Sequence, residues 1–143
     1  MSSPDRKVAR EALATLLRGG VPAAQAVYSY QKAKFDGESP VIAVTSAGSE
    51  RERFTMQGSM ATFFFDINVF VLHADAESGW TEQDGEDTLD LLEKQIAAVI
   101  DQHTSTQVWS NLNYTDRSDI QPLQMPEGHN YLYEVVTVSL QMV

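Results

Sequence analysis

The stretch Thr62–His73 reads Thr-Phe-Phe-Phe-Asp-Ile-Asn-Val-Phe-Val-Leu-His. Every odd position from Phe63 to Val71 is apolar: Phe63, Phe65, Ile67, Val69 and Val71. Alternation of this length in aromatic and β-branched residues predicts a long strand with one face in a core. The even face is different. Phe64, Phe70 and Leu72 stand at its ends, and Asp66 and Asn68 at its centre. It is neither an ordinary wet face nor an ordinary buried one, and a mixed surface of that kind commonly meets another chain.

The chain has 143 residues, the size of one domain, long enough to bury a core without staples. It has no cysteine, which excludes disulfides, thiolate metal sites and a cysteine nucleophile. No apolar run reaches the roughly eighteen residues of a membrane span, and the N-terminus lacks the apolar core of a signal peptide. The expectation is a soluble protein made in the cytoplasm of its producing cell, with no membrane partner.

Net charge is −10, and it is unevenly spread. Residues 1–53 hold eight Lys and Arg against six acids; residues 54–143 hold Lys94 and Arg117 against fourteen acids. Phosphate neutralisation is hard to build from the second half. The acidic balance serves solubility, or it marks a surface that repels nucleic acid or meets a basic partner.

Ser3-Pro4-Asp5 is a helix start, and Ala9, Ala12, Leu13, Leu16 and Leu17 form one apolar stripe. The helix is predicted over 4–18, stopped by Arg18-Gly19-Gly20 with a glycine at positive φ, then Val21-Pro22. Strands are predicted over 25–34 and 41–45. Residues 46–59 read as an exposed loop or hairpin arm carrying Glu50-Arg51-Glu52-Arg53. The long strand covers about 60–74. A second helix follows from Glu86 to about His103, with Leu89, Leu92, Ile96, Val99 and Ile100 on one face. Strands over 107–113 and 131–142 flank a loop over 116–128. This order predicts an α+β domain: a mixed or antiparallel sheet of about five strands with two helices on one face.

Catalytic and metal-binding patterns are missing. The seven carboxylates of Asp75–Asp90 lack calcium-loop spacing and read as a solvated linker with a helix N-terminus. His73, His103 and His129 have no metal spacing. No serine fits a nucleophile elbow, and Gly19-Gly20 follows a helix where a phosphate loop would precede one. No catalytic, cofactor-binding or metal residue is assigned, and no enzymatic activity is expected.

The candidate contact residues are Glu50, Arg51, Glu52 and Arg53 of the charged cluster, Phe54 and Met56 beside it, Phe64 and Phe70 of the even face, and Trp80. The bland reading of the cluster is a solvated tip whose local ion pairs contribute little. The sharper one is an intersubunit clasp in a head-to-tail ring, with Arg51 or Arg53 on a neighbour's acidic half. Phe54 and Met56 either tuck onto their own core or dock on a neighbour. Trp80 and Trp109 flank the second helix, where packing is the simplest role; an exposed Trp80 would mark a contact.

The order resembles the tail terminator (tail-end and neck) proteins of long-tailed bacteriophages, of the lambda and related types. The resemblance is one of pattern over most of the chain. It covers the helix ending at Arg18-Gly19-Gly20, Pro40–Gly48 entering a polar loop, the strand Phe63–His73, the acidic helix Glu86–His103 and the closing strand Tyr131–Met142. It implies a structural virion protein in the tail or neck, typically a ring of six subunits. Such a ring caps the tail tube, ends its polymerisation and meets the head-tail connector protein, while DNA passes through the lumen without specific binding. The implied partners are copies of the chain, the tail tube protein and the connector. Two other readings stay open: a small-ligand binding or regulatory α+β domain with a Tyr/Phe-lined pocket, and another neck component such as a head-completion protein.

Overall fold

A computed structural model describes residues 4–53, 58–115, 117–126 and 128–143. The elements run α1 (Arg6–Gly20), β1 (Ala26–Tyr28), β2 (Val41–Arg53), β3 (Ser59–Leu72), α2 (Glu82–Gln102), β4 (Asn111–Tyr114), β5 (Asp119–Gln124) and β6 (Asn130–Met142). The fold is α+β, with two helices and a six-stranded mixed sheet. Strand order is β1-β2-β3-β6-β4, and β5 pairs the same edge of β6 that β4 uses farther along. Among the described residues only β1 and β2 pair in parallel. Parallel neighbours need a crossover, and residues 29–40 supply it without a helix.

The odd face of β3 is fully buried, as its alternation requires: Phe63, Phe65 and Ile67 are at 0% exposure. It joins one core with Ala9, Leu13 and Leu17 of α1 and Leu89, Leu92 and Ile96 of α2. Each such side chain contributes about 1.5–3 kcal/mol on burial. α1 lies against β1 and β2, whereas α2 lies against β3 and β6. A second core lies on the opposite face of the sheet. There Phe35 of the crossover and Met125 pack with Val41, Ala43, Phe70, Leu72 and Tyr131.

Several boundaries differ from those the sequence predicts. α1 is capped by Asp5, whose carboxylate accepts from the Lys7 and Val8 N–H groups at 2.9 and 3.4 Å. It runs through both Gly19 and Gly20, neither at positive φ; Val21 and Pro22 end it. β1 is only three residues long. α2 begins a turn earlier than Glu86, because Thr81 and Asp84 form a reciprocal capping box. The predicted loop over 116–128 contains β5, and the predicted loop or arm over 46–59 is strand as far as Arg53. The sheet therefore has six strands where about five are expected.

One irregularity governs the charged cluster. β2 pairs β3 antiparallel from Val41↔Phe70 to Arg53↔Ser59, with a register shift between Ser46 and Gly48. Ala47 is the inserted residue of a β-bulge. Before it, Ile42 and Val44 point to the helices. After it, Ser49, Arg51 and Arg53 share the helix side with Phe63, while Glu50 and Glu52 fall on the open face with Thr62 and Phe64.

Candidate functional site

The polar centre of the even face is satisfied inside the chain. Asn68 is 4% exposed. Its amide donates to the Ala43 carbonyl and to Thr45 Oγ1, both at 3.0 Å, and its Oδ1 accepts from the Tyr133 hydroxyl at 2.7 Å. Thr137 Oγ1 donates to Asp66 Oδ1 at 2.8 Å. These bonds stitch β2, β3 and β6 across the sheet, which explains why polar residues sit between aromatic ones.

Phe70 is not a contact surface, contrary to the expectation for it. It is 3% exposed. Its ring centroid lies 4.7 Å from that of Phe35 and 4.8 Å from that of Tyr133, the latter stacked at 9°. Tyr131 closes the group edge-on. The crossover covers this half of the even face, held by the Tyr28 hydroxyl donating to Glu38 at 2.6 Å. The rings fill the space that a Tyr/Phe-lined pocket would need. Phe64, at the uncovered end, is half-buried.

All four charged residues Glu50, Arg51, Glu52 and Arg53 are exposed, but they do not act as one cluster. Arg51 Nη2 donates to the Pro4 carbonyl at 3.0 Å, and its guanidinium sits 5.4 Å from the Phe63 ring centroid. Arg6 donates to Ser49 Oγ at 3.4 Å, and Arg10 to Ser46 Oγ at 3.3 Å. Arg6, Arg10 and Arg51 thus fasten the N-terminal segment and α1 to β2, each through a neutral oxygen. Arg51 is engaged within its own subunit. Phe54 and Met56 lie outside the described residues.

Trp80 is half-buried and packs against both cores. Its backbone bridges Asp75, a residue of the connection that the sequence predicts to be a solvated linker. Asp75 is 6% exposed and holds three segments together. Its Oδ2 accepts from Ser78 Oγ at 2.7 Å and lies 3.1 Å from His129 Nδ1. The Ser78 hydroxyl lowers its pKa most, burial opposes, and His129 adds to the lowering. The hydroxyl binds the carboxylate and not the imidazole, so the trio does not generate a serine nucleophile. His103 hydrogen-bonds the Val99 carbonyl at 2.8 Å, and Trp109 Nε1 donates to the His103 carbonyl at 2.8 Å. His73 is half-buried just after β3. Among the described residues, no group of His, Asp and Glu is arranged to hold a metal ion.

Glu134 was not anticipated either. It lies opposite Val69, on the side facing the helices, and is 4% exposed. Burial raises its pKa; the Ser118 hydroxyl, which donates to it, lowers it; Glu93 and Asp90 of α2 raise it further. Beside it, Tyr114 Oη donates to the Ala97 carbonyl at 3.2 Å and to Asp101 at 3.3 Å. The stripe Glu86, Asp90, Glu93, Ala97 and Asp101 therefore runs along the β4–β5 side of α2. An apolar groove of about 450 Å³ lies between Ala12 and Leu16 of α1 and Val108 and Trp109. A polar cleft of about 290 Å³ on the open face is lined by Arg117, Asp119, Gln121, Tyr133, Val135 and Thr137.

No protein-family model matches the chain, and no curated protein matches it. Among the described residues no helix is long and apolar enough to cross a membrane.

Proposed function

We propose that this protein is a structural part of a phage tail. It forms a ring, six copies in the resembling family, at the head-proximal end of the tail tube, ends tube polymerisation and joins the tail to the head connector. The observation that carries this reading is the open face of the sheet. Past the bulge its strand positions are Glu50, Glu52, Met60, Thr62, Phe64 and Asp66, flanked by Thr137, Ser139 and Gln141 of β6. Among the described residues, no Lys or Arg occupies a strand position on that face. The cations nearest that face are engaged within the subunit, Arg117 with Asp119 and Lys32 over the Tyr28 ring. A lumen dominated by carboxylates and neutral groups neutralises few phosphates, so the duplex slides through without adhering.

The packing of Phe35, Phe70, Tyr131 and Tyr133 against one another favours assembly over ligand binding, because the aromatic face is already occupied. The experiment is genetic and structural. Particles made without the protein should carry tails of uneven length that fail to join heads, and a tagged copy should appear at the junction of capsid and tail. Purified particles that lack the chain, or normal tails formed without it, would overturn the proposal.

A further inference from the structure

We infer that neighbouring copies meet head-to-tail through a basic strip on the β2–α1 side of one subunit and the acidic stripe of α2 on the next. The inference rests on the ring reading above and names the two surfaces that make such a ring.

The basic strip is Arg6, Lys7 and Arg10 of α1 with Arg51 and Arg53 of β2, the last two brought to the helix side by the bulge at Ala47. Among the described residues none of the five forms an ion pair with a carboxylate; the pairs present are Arg117–Asp119 and those of His129. Three of these guanidinium groups bond only serine hydroxyls or a carbonyl. Arg6, Lys7 and Arg10 also sit at the start of α1, where the helix dipole is positive and cations are disfavoured. The adjacent carboxylates Glu50 and Glu52 point to the opposite face. The strip is thus a concentration of positive charge that the subunit itself leaves unmatched.

The matching surface lies at the other side of the same sheet. Glu86, Asp90, Glu93 and Asp101 are all exposed and recur along one side of α2, toward the β4–β5 edge. The field there is negative enough to act on Glu134 beneath it. α1 flanks β1 and β2, while α2 flanks β3 and β6, so the two charged surfaces lie on opposite flanks. Unlike surfaces on opposite flanks generate a heterologous contact, which closes into a ring or runs on as a filament; a two-fold dimer uses one surface twice. A standard interface takes about 800 Å² from each partner. Two such surfaces occupy about a fifth of the 7915 Å² the subunit exposes. A second copy is the occupant because it carries both the strip and its complement.

Two variants test this. Arg6→Glu/Arg53→Glu reverses the basic strip, and Glu86→Lys/Glu93→Lys reverses the acidic stripe. Wild-type chain should self-associate in sedimentation velocity, and at least tenfold less tightly when salt rises from about 0.05 to 0.5 M. Each variant alone should associate at least tenfold less tightly, and an equimolar mixture of the two should recover oligomers. Wild type that stays monomeric at about 1 mM overturns the inference, as do variants that associate normally or a mixture that recovers nothing. Should a reversed variant not melt cooperatively, Arg53→Gln and Glu86→Gln replace it: each should weaken association, and normal association by both overturns the inference. Association unmoved by all these changes would leave the ring reading standing through another surface. Absence of the chain from virions would overturn the ring reading without altering the mixing result.

Discussion

The Tyr133 hydroxyl donates a 2.7 Å hydrogen bond to Asn68 Oδ1 from β6 to β3, while its ring lies flat on Phe70 at 4.8 Å. One side chain thus ties the polar centre of the sheet to its aromatic core. Tyr133→Phe keeps the stacked ring and leaves a buried amide oxygen without its donor. The expected loss is about 1–3 kcal/mol, a fall in Tm of about 4 °C per kcal/mol. Urea unfolding followed by the fluorescence of Trp80 and Trp109 measures it; an unchanged midpoint would show the bond to be dispensable.

Glu134 gives stability a pH dependence of known sign. Its pKa is raised in the fold above the ordinary 4.5, first by burial and then by Glu93 and Asp90, against the Ser118 hydroxyl. Folding therefore favours the protonated form. The contribution is fully present below about 4.5 and is lost as pH rises through the higher folded-state value. Wild type should lose stability relative to Glu134→Gln as pH rises above about 4.5, since the glutamine stays neutral and still accepts from Ser118. Parallel unfolding curves at each pH would contradict this.

Asp75 has the opposite sign. Its pKa is lowered from the ordinary 3.8, chiefly by the Ser78 hydroxyl, with His129 assisting against burial. Its stabilisation is present above about 3.8 and lost as pH falls through the lower folded-state value. Asp75→Asn should cost about 1–3 kcal/mol at pH 7 and remove part of the acid-side slope. Limited proteolysis should find the connection between β3 and α2 cut faster in the variant than in wild type.

Gly85 marks where α2 presses on the end of β3. A Cβ there would lie 2.4 Å from His73 Cβ and 3.0 Å from the Leu72 carbonyl oxygen. Alanine adds about 1 kcal/mol of helix propensity, and overpacking costs about 1–3 kcal/mol. Gly85→Ala should therefore be destabilising by up to about 2 kcal/mol, whereas the same change at a solvent-facing helix glycine stabilises. A raised thermal midpoint would show that the helix can shift outward.

The parts of the fold legible in the sequence are those that bury apolar side chains. The alternation of Phe63–Val71 and the stripe from Leu89 to Ile100 both appear where expected, since burial drives both patterns. The outer half of β2 reads in sequence as a loop or hairpin arm and β5 as a loop, because both are exposed strands, held by backbone pairing to β3 and β6 and not by burial. β5 carries Pro122, which an edge strand tolerates. The first turn of α2 has no apolar residue, yet Thr81 and Asp84 held its signal as a capping box. At the candidate surfaces, the charge imbalance between chain halves was legible from counting. Its sorting onto faces was not, since that depends on a bulge. Asp75 and His129 lie 54 positions apart, and no local spacing links them.

The single extra residue in β2 carries a consequence of its own. Straightening the bulge with Ala47 kept in the ladder would slip the outer arm of β2 by one position against β3, and a one-residue slip exchanges the two sides of a strand. Arg51 and Arg53 would then lie on the open face and Glu50 and Glu52 toward α1, which in the proposed ring turns a passage that repels a polyanion into one that grips it. The bulge thus acts as a polarity setter for the arm, with its amino-acid content unchanged.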